Sequence, residues 1–415
     1  MAPLTQVAAE VAAVAARDSY GRLLALLSAA TGDLASAEDA LADAFERALA
    51  TWPVQGVPAR PDAWLHTVAR NRLRDLWKSA ATRRTVPLDD RTDLCVDLCT
   101  DDPPDVDALP DRRLELLLVC AHPAVDRSVR TPLMLNTVLG FTAAQIGRAY
   151  SIPGSTMATR LVRAKRRIRE AGVPFHRPDR GDLPARTDAV LEAVYGAYVI
   201  DWGTGPQDRV LPSEALHLAE VLAALLPDDA EARGLAALVQ LSAARAPARL
   251  DADGRFVPLA CQDPDRWDRQ RIARAHEHLR AAHALGRVGR FQLEAAIQAV
   301  HCARPRTGTA DPAILLDLHR ALHSVAPSLG SGVALAAVTA QVDGATAGLA
   351  LLDAVVAGAG DGGRRFQPAR VVRAHLLEQL GRPGEAAAAY RSALDVSHDP
   401  AERRHLADRR AALQP

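Results

Sequence analysis

The sequence predicts an all-α fold in several parts, and three observations carry that prediction. Alanine and leucine are abundant while aromatic residues make up 4% of the 415-residue chain, a composition that suits packed helices better than sheets. Apolar residues recur at helical spacing through most of the chain. Segments rich in Pro, Gly or Asp interrupt that pattern, and at a prior of roughly 150 residues per domain they suggest two or three domains, each able to bury a core.

The formal net charge is zero, yet the charges are unevenly placed. Arg70, Arg72, Arg74, Lys78, Arg83 and Arg84 form a basic block that holds one acid, Asp75. Asp89, Asp90, Asp93, Asp97, Asp101, Asp102, Asp105, Asp107 and Asp111 form an acidic stretch broken by Arg91. Five cysteines in a chain this long make no disulfide framework, and the odd count fits a reducing compartment. No apolar run approaches the roughly 20 residues that cross a bilayer, and Glu10 precedes any Lys or Arg, unlike a secretory signal. A cytoplasmic protein without a membrane partner is expected.

Taken in order, residues 4–30 read as one or two helices, broken at Gly32 and Asp33. Ser36, with Asp39 three residues on, looks like a capping box. Behind it Leu41, Ala44, Phe45, Ala48 and Leu49 form an apolar face, while Glu38, Asp39, Asp43, Glu46 and Arg47 lie on the exposed side. Pro53, Gly56, Pro58 and Pro61 mark a loop. The helix that follows, from Pro61, pairs Trp64, Leu65, Val68, Leu73, Leu76 and Trp77 with a cationic side of Arg70, Asn71, Arg74 and Lys78. Aromatic rings beside Lys and Arg suit single-stranded DNA, where rings stack on bases and cations follow the backbone; the same tryptophans also serve as core anchors. Residues 86–110 carry Asp and Pro without helical period and read as an extended, self-repelling linker. Helices resume at Asp111–Val119 and at Pro132–Leu139.

Thr142–Gly172 reads as two helices across a tight turn. Ile146 and Ala149 face inward from the first, and Met157, Leu161, Ala164 and Ile168 from the second. Pro153 suits a first helical turn, with Ser155 and Thr156 near capping positions. Arg160, Arg163, Lys165, Arg166, Arg167 and Arg169 then load the helix with cations. Short polar residues first and arginines after suit a helix in the major groove, the former near base edges and the latter on phosphate.

Residues 174–184 form a polar, proline-containing boundary. Beyond it lie helical pairs at Ala215–Ala244, Arg271–Ala303 and Ile314–Val356, and a clearer hairpin at Ala369–Leu394. In that hairpin Ala374, Gly381, Ala386, Tyr390 and Ala393 occupy the small-residue and aromatic positions of a tetratricopeptide repeat. Asp251-x-Asp253-Gly254 lacks the later ligands of a calcium loop and reads as a turn. Cys95, Cys99, Cys120 and His122 have no standard zinc spacing, and Cys120 sits in an apolar helix as a buried thiol would. No phosphate loop, nucleophile elbow or paired-carboxylate pattern stands out, so neither a catalytic site nor a cofactor or metal is expected.

Together these pieces resemble an RNA polymerase sigma factor of the extracytoplasmic-function type. Ala37–Leu49 is similar to the family's polymerase-docking helix, and the match carries Asp39, Asp43, Phe45 and Arg47 as polymerase contacts. The segment AWLHTVARNRLRDLWK resembles the minus-ten reader, which implies Trp64, Arg70, Asn71, Arg74 and Lys78 as DNA contacts. Thr142–Ile168 resembles the minus-thirty-five reader, implying Ser155, Thr156, Thr159, Arg160, Arg163, Lys165 and Arg167; Gln145 and Gly147 stand where Glu and Ala are usual, and Ser151 replaces a frequent turn glycine. RRLELLLVCAHPAV and TMATRLVRAK look like the subgroup with a long helical-repeat extension, with Ala121 in place of a usual cysteine. The implied organisation is a docking and minus-ten domain at 1–85, an acidic linker at 86–110, a helix-turn-helix domain at 111–175 and a repeat domain at 176–415. The linker would occupy a nucleic-acid channel of the polymerase. The implied partners are core RNA polymerase, promoter DNA and a regulatory protein bound by the C-terminal domain. A helix-turn-helix regulator with a repeat sensor is the competing reading; it leaves Ser36–Arg84 without a role.

Overall fold

The computed structural model describes residues 4–83, 112–150, 152–173, 175, 183–202, 212–304, 310–397 and 399–413. Twenty α-helices run through them, and no strand occurs among the described residues. An isolated antiparallel bridge joins Leu250 to Phe256. The chain divides into two compact units, Met1–Ile200 and Asp201–Pro415. Among the described residues no helix is long and apolar enough to cross a membrane.

The first unit opens with α1 (Leu4–Asp18) and α2 (Tyr20–Thr31), which ends at Gly32 in the left-handed conformation. Next comes α3 (Leu34–Gln55), and its cap is Asp33, not Ser36. Asp33 is extended and accepts from Ala35 N at 3.0 Å and from the Ser36 hydroxyl at 2.6 Å, so Ser36 lies inside the first turn. The loop expected at Pro53 begins later, because α3 runs through that proline. Pro53 forfeits one donor in the final turns, while buried Trp52 anchors the helix there. Leu49, expected in the apolar face, is 52% exposed. Helix α4 (Pro61–Arg83) starts on Pro61, as the fixed φ of proline favours.

Helix α5 (Arg113–Cys120) buries Leu116, Leu117 and Leu118. Helix α6 (Arg127–Thr137) begins earlier than the expected Pro132, because Asp126 caps it by accepting from Ser128 N. Helices α7 (Ala143–Ala149) and α8 (Gly154–Glu170) make the helix-turn-helix. Then α9 (Leu183–Trp202) packs onto these: Gly196 lies against Leu135, and Arg186 donates to the Leu118 carbonyl at 3.1 Å. The two helical bodies of this unit also touch. A Cβ on Gly21 would overlap the Val138 carbonyl, so α2 approaches the end of α6 as only glycine allows.

The second unit is a run of hairpins: α10 (Pro212–Leu225) with α11 (Ala230–Arg245), α12 (Arg269–Ala284) with α13 (Arg290–Cys302), and α14 (Pro312–Val325) with α15 (Leu329–Asp343). Helices α16 (Ala345–Gly358), α17 (Gly360–Arg365), α18 (Gln367–Gln379), α19 (Pro383–Leu394) and α20 (Pro400–Ala412) complete it. The tetratricopeptide-like positions behave as their chemistry suggests. Ala374, Ala386, Tyr390 and Ala393 are buried between α18 and α19, and Gly381 turns with φ 66°. The Tyr390 hydroxyl donates to Glu378 at 2.8 Å. Asp251–Arg255 is the expected turn, with the Asp251 carboxylate accepting from the amides of Asp253 and Arg255. Arg249, 2% exposed, is held by Asp399 at 3.1 Å and Glu402 at 2.9 Å, which ties this turn to α20.

Candidate nucleic-acid interface

Helix α8 is amphipathic by construction. Met157, Leu161, Ala164 and Ile168 are buried, as their spacing predicts, which leaves the opposite side to water. On that side Ser155, Thr156, Thr159, Arg160, Arg163, Arg166, Arg167 and Arg169 are all exposed. Pro153 occupies the cap position of α8 and no side chain caps the helix, so Ser155 and Thr156 are first-turn residues whose hydroxyls do not serve as caps. The face therefore presents small polar groups at the positive end of the helix and guanidinium groups along its length, the order a groove-reading helix needs. Asp126 adds an exposed carboxylate near Arg160; its hydrogen bonds to Ser128 lower its pKa.

Two residues that depart from the resembled pattern shape this motif, one at the start of α7 and one beneath the turn into α8. Gln145 completes a capping box with Thr142: the Thr142 hydroxyl accepts from Gln145 N, and the Gln145 side chain accepts from Thr142 N at 2.9 Å. Gly147 is buried directly beneath the turn. A Cβ there would lie 2.6 Å from the Ile152 carbonyl oxygen, and Ile152 N donates to the Gly147 carbonyl at 2.8 Å. Ala149, expected to face inward, is exposed instead, because the chain crosses over Gly147.

Lys165 is apart from the other cations. Its ammonium lies 2.5 Å from Glu38 on α3, with the two side chains 24% and 15% exposed. The pair sits beside the buried Cys120, whose thiol is pushed up to about 12 by burial and then by the Glu38 charge. Helix α8 thus touches the helix expected to dock on polymerase, and Lys165 is not part of the exposed cationic face.

On α3, Asp39 and Arg47 are exposed and Phe45 is half-buried, stacked on Tyr20 with ring centroids 6.3 Å apart. Burial, followed by the charges of Glu38 and Asp39, raises the Tyr20 pKa. Asp43 accepts from Arg72 Nε at 2.7 Å, which links α3 to α4. On α4, Asn71 is exposed and Arg74 half-buried. Trp64 is half-buried with its ring edge-on to Trp52 at 5.5 Å, so it contributes to the core as well as to the surface. Arg70 is 4% exposed and lies beside His66, whose pKa is lowered to about 4 by burial and by that guanidinium. Among the described side chains of this stretch the exposed guanidinium is that of Arg72, which the resemblance did not single out. The Lys78 side chain and the acidic segment from Asp89 to Asp111, with Cys95 and Cys99, lie outside the described residues. His122 accepts from Ala124 N through Nδ1, and among the described residues no three His, Cys, Asp or Glu side chains are grouped for a metal.

Sigma-70 region 2 matches residues 16–83, and a family of unknown function, DUF6596, matches residues 186–283. An uncharacterized protein of Rhizobium meliloti is 32% identical over 381 residues, covering 89% of this chain and 88% of that protein. The ECF RNA polymerase sigma factor SigL of Mycobacterium tuberculosis is 34% identical over 140 residues, covering 34% of this chain and 76% of SigL. No solved structure matches the chain.

Proposed function

Since this chain belongs to the sigma-70 family, we propose that it is an alternative sigma factor of the extracytoplasmic-function type, in the subgroup with a long helical extension. It acts in the cytoplasm as a binding factor: it docks on core RNA polymerase, reads two promoter elements and opens DNA, and the polymerase performs the chemistry. In this reading residues 1–85 dock through Asp39, Asp43, Phe45 and Arg47 and read the minus-ten element with Trp64, Asn71, Arg74 and Lys78. Residues 86–110 are the spanning linker in the polymerase channel. Residues 111–175 read the minus-thirty-five element, and residues 176–415 bind a regulatory protein and modulate activity.

The observation that carries the proposal is the exposed face of α8, with Ser155, Thr156 and Thr159 followed by Arg160, Arg163 and Arg167 on an apolar anchor, in one chain with the region 2 match. Lys165 joins that face only when its pair with Glu38 opens. Arg70 supports the minus-ten reader from within its core.

Affinity capture of core polymerase on the immobilised full chain tests docking. Retention of core by the wild type and its loss in Asp39→Ala/Arg47→Ala is expected; equal retention removes the docking role of α3. A truncation tests modulation, and it belongs after Ile200: a cut at Phe175 would strip α9 from Leu118 and Leu135. Gain of transcription in the truncated protein means masking, loss means a required domain, and no change ends the modulatory reading.

A further inference from the structure

The last hairpin of the second unit carries a cationic groove that no part of the promoter-reading role uses. Arg391, Leu394 and Asp395 of the α19 end and Arg403, Arg404, Ala407 and Arg410 of α20 line a concavity of about 650 Å³. Four of these seven residues are arginines and one is an acid. Of the neighbouring charges, Arg409 pairs with Glu378 and Asp399 and Glu402 hold Arg249, while Asp408 of α20 is an exposed acid outside the lining. Among the described residues no carboxylate pairs with Arg391, Arg404 or Arg410. Arg403 donates through Nη1 to the Ser397 and Leu394 carbonyls, which fixes it at the rim and leaves its Nε and Nη2 donors for a ligand. Arg410 keeps an Nε–H shielded from water with no acceptor. A shielded guanidinium donor left unsatisfied costs free energy, and a bound carboxylate would accept from it.

We propose that this groove binds an acidic peptide segment of a partner protein. Its volume falls within the range of about 300–1,000 Å³ typical of ligand clefts, and Leu394 and Ala407 add apolar surface to its lining. Phosphodiester backbone offers nothing apolar to cover those two side chains. A peptide supplies both parts: carboxylates for the guanidinium forks and an apolar side chain between them. Arg403 and Arg410 stand two helical turns apart, so the segment carries carboxylates about 10 Å apart along one face. The inference deepens the proposed partner-binding role of the C-terminal half and rests on that reading for its purpose alone. Binding is scored without polymerase or promoter, so it stands or falls separately from sigma activity.

The test is fluorescence anisotropy with the full chain and three labelled probes: a peptide of alternating glutamate and leucine, the same peptide with glutamine for glutamate, and a random-sequence DNA duplex. The acidic peptide should bind, the glutamine peptide should not, and Arg404→Ala/Arg410→Ala should weaken binding at least tenfold, while Arg320→Ala, an exposed arginine elsewhere in the unit, leaves it unchanged. Charge reversal guards against misfolding: Arg404→Glu/Arg410→Glu should lose the acidic peptide and gain a lysine–leucine counterpart. Equal binding of the acidic peptide by wild type and both double variants overturns the proposal. So does tighter binding of the duplex that the same substitutions abolish, which would make the groove a nucleic-acid surface.

Discussion

Replacing Gly147 with alanine should destabilise the helix-turn-helix and, on the proposed function, weaken promoter reading. The added Cβ would stand 2.6 Å from the Ile152 carbonyl oxygen, about 0.8 Å short of the 3.4 Å at which ordinary contact begins, and 3.2–3.3 Å from the Gly154 backbone. All of these neighbours are backbone atoms, so no side chain can swing away. Relief requires lifting the turn, which stretches the 2.8 Å hydrogen bond from Ile152 N to the Gly147 carbonyl. Overpacking of this kind costs about 1–3 kcal/mol, and a weakened hydrogen bond adds about 0.5–1.5 kcal/mol. Alanine returns about 0.5–1 kcal/mol of helix propensity. The net expectation is a loss of about 1–3 kcal/mol. Because α8 begins at this turn and runs 17 residues, or about 25 Å, a small tilt at its start displaces the arginines at its end. Loss of one well-placed contact is worth about 1–3 kcal/mol, so promoter-dependent transcription should fall about tenfold or more. Amide exchange in α8, read beside transcription, checks both. Unchanged or slower exchange with full activity would refute the close-approach argument.

Three further outcomes follow from the same physics. Asp399→Ala removes the cap of α20 and one of the two carboxylates that hold buried Arg249, so thermal unfolding should show a loss of about 3 kcal/mol; Asp399→Asn, which keeps the cap acceptor, should lose less, and equal values would deny the ion pair its role. His66 and His301 are each held neutral with pKa lowered to about 4 by burial. As pH falls below 6.5 the unfolded chain takes these protons first, so stability declines between about pH 6.5 and 4, by up to about 1.4 kcal/mol per pH unit for each group. Urea midpoints at successive pH values should show that slope, with His66→Leu flattening it. The Glu220 carboxylate, lowered to about 2 chiefly by its hydrogen bond to His278, adds a separate loss only when pH falls from about 4.5 toward 2. Glu220→Gln should remove that acid limb and leave the histidine limb intact.

Local chemistry made much of this legible. The inner face of α8 followed from spacing alone, and the hairpin of α18 and α19 from its small residues and Tyr390. Where several local solutions were equally good, the sequence could not choose: Asp33 and Ser36 are both good caps, and only the extended backbone of Asp33 decides between them. Ala149 and Gly147 both fit a buried helix end, and the choice depends on where the chain crosses. Long-range pairs left no local signal. Glu38 meets Lys165 across 127 residues, so two charges read as surface are half-buried, and Arg249 meets Asp399 across 150, a buried pair that nothing local announces. Arg70 shows the same limit, since a cation in a basic block reads as solvated until its neighbours cover it.

In vitro transcription with core RNA polymerase and a library of promoter fragments, with and without this protein, tests the central claim most directly. Defined start sites that appear only with the protein, and vanish when Arg160 and Arg163 become alanine, are the predicted result. Specific binding of the protein to those fragments without core polymerase, together with no protein-dependent start from the full chain or from the truncation after Ile200, would contradict it.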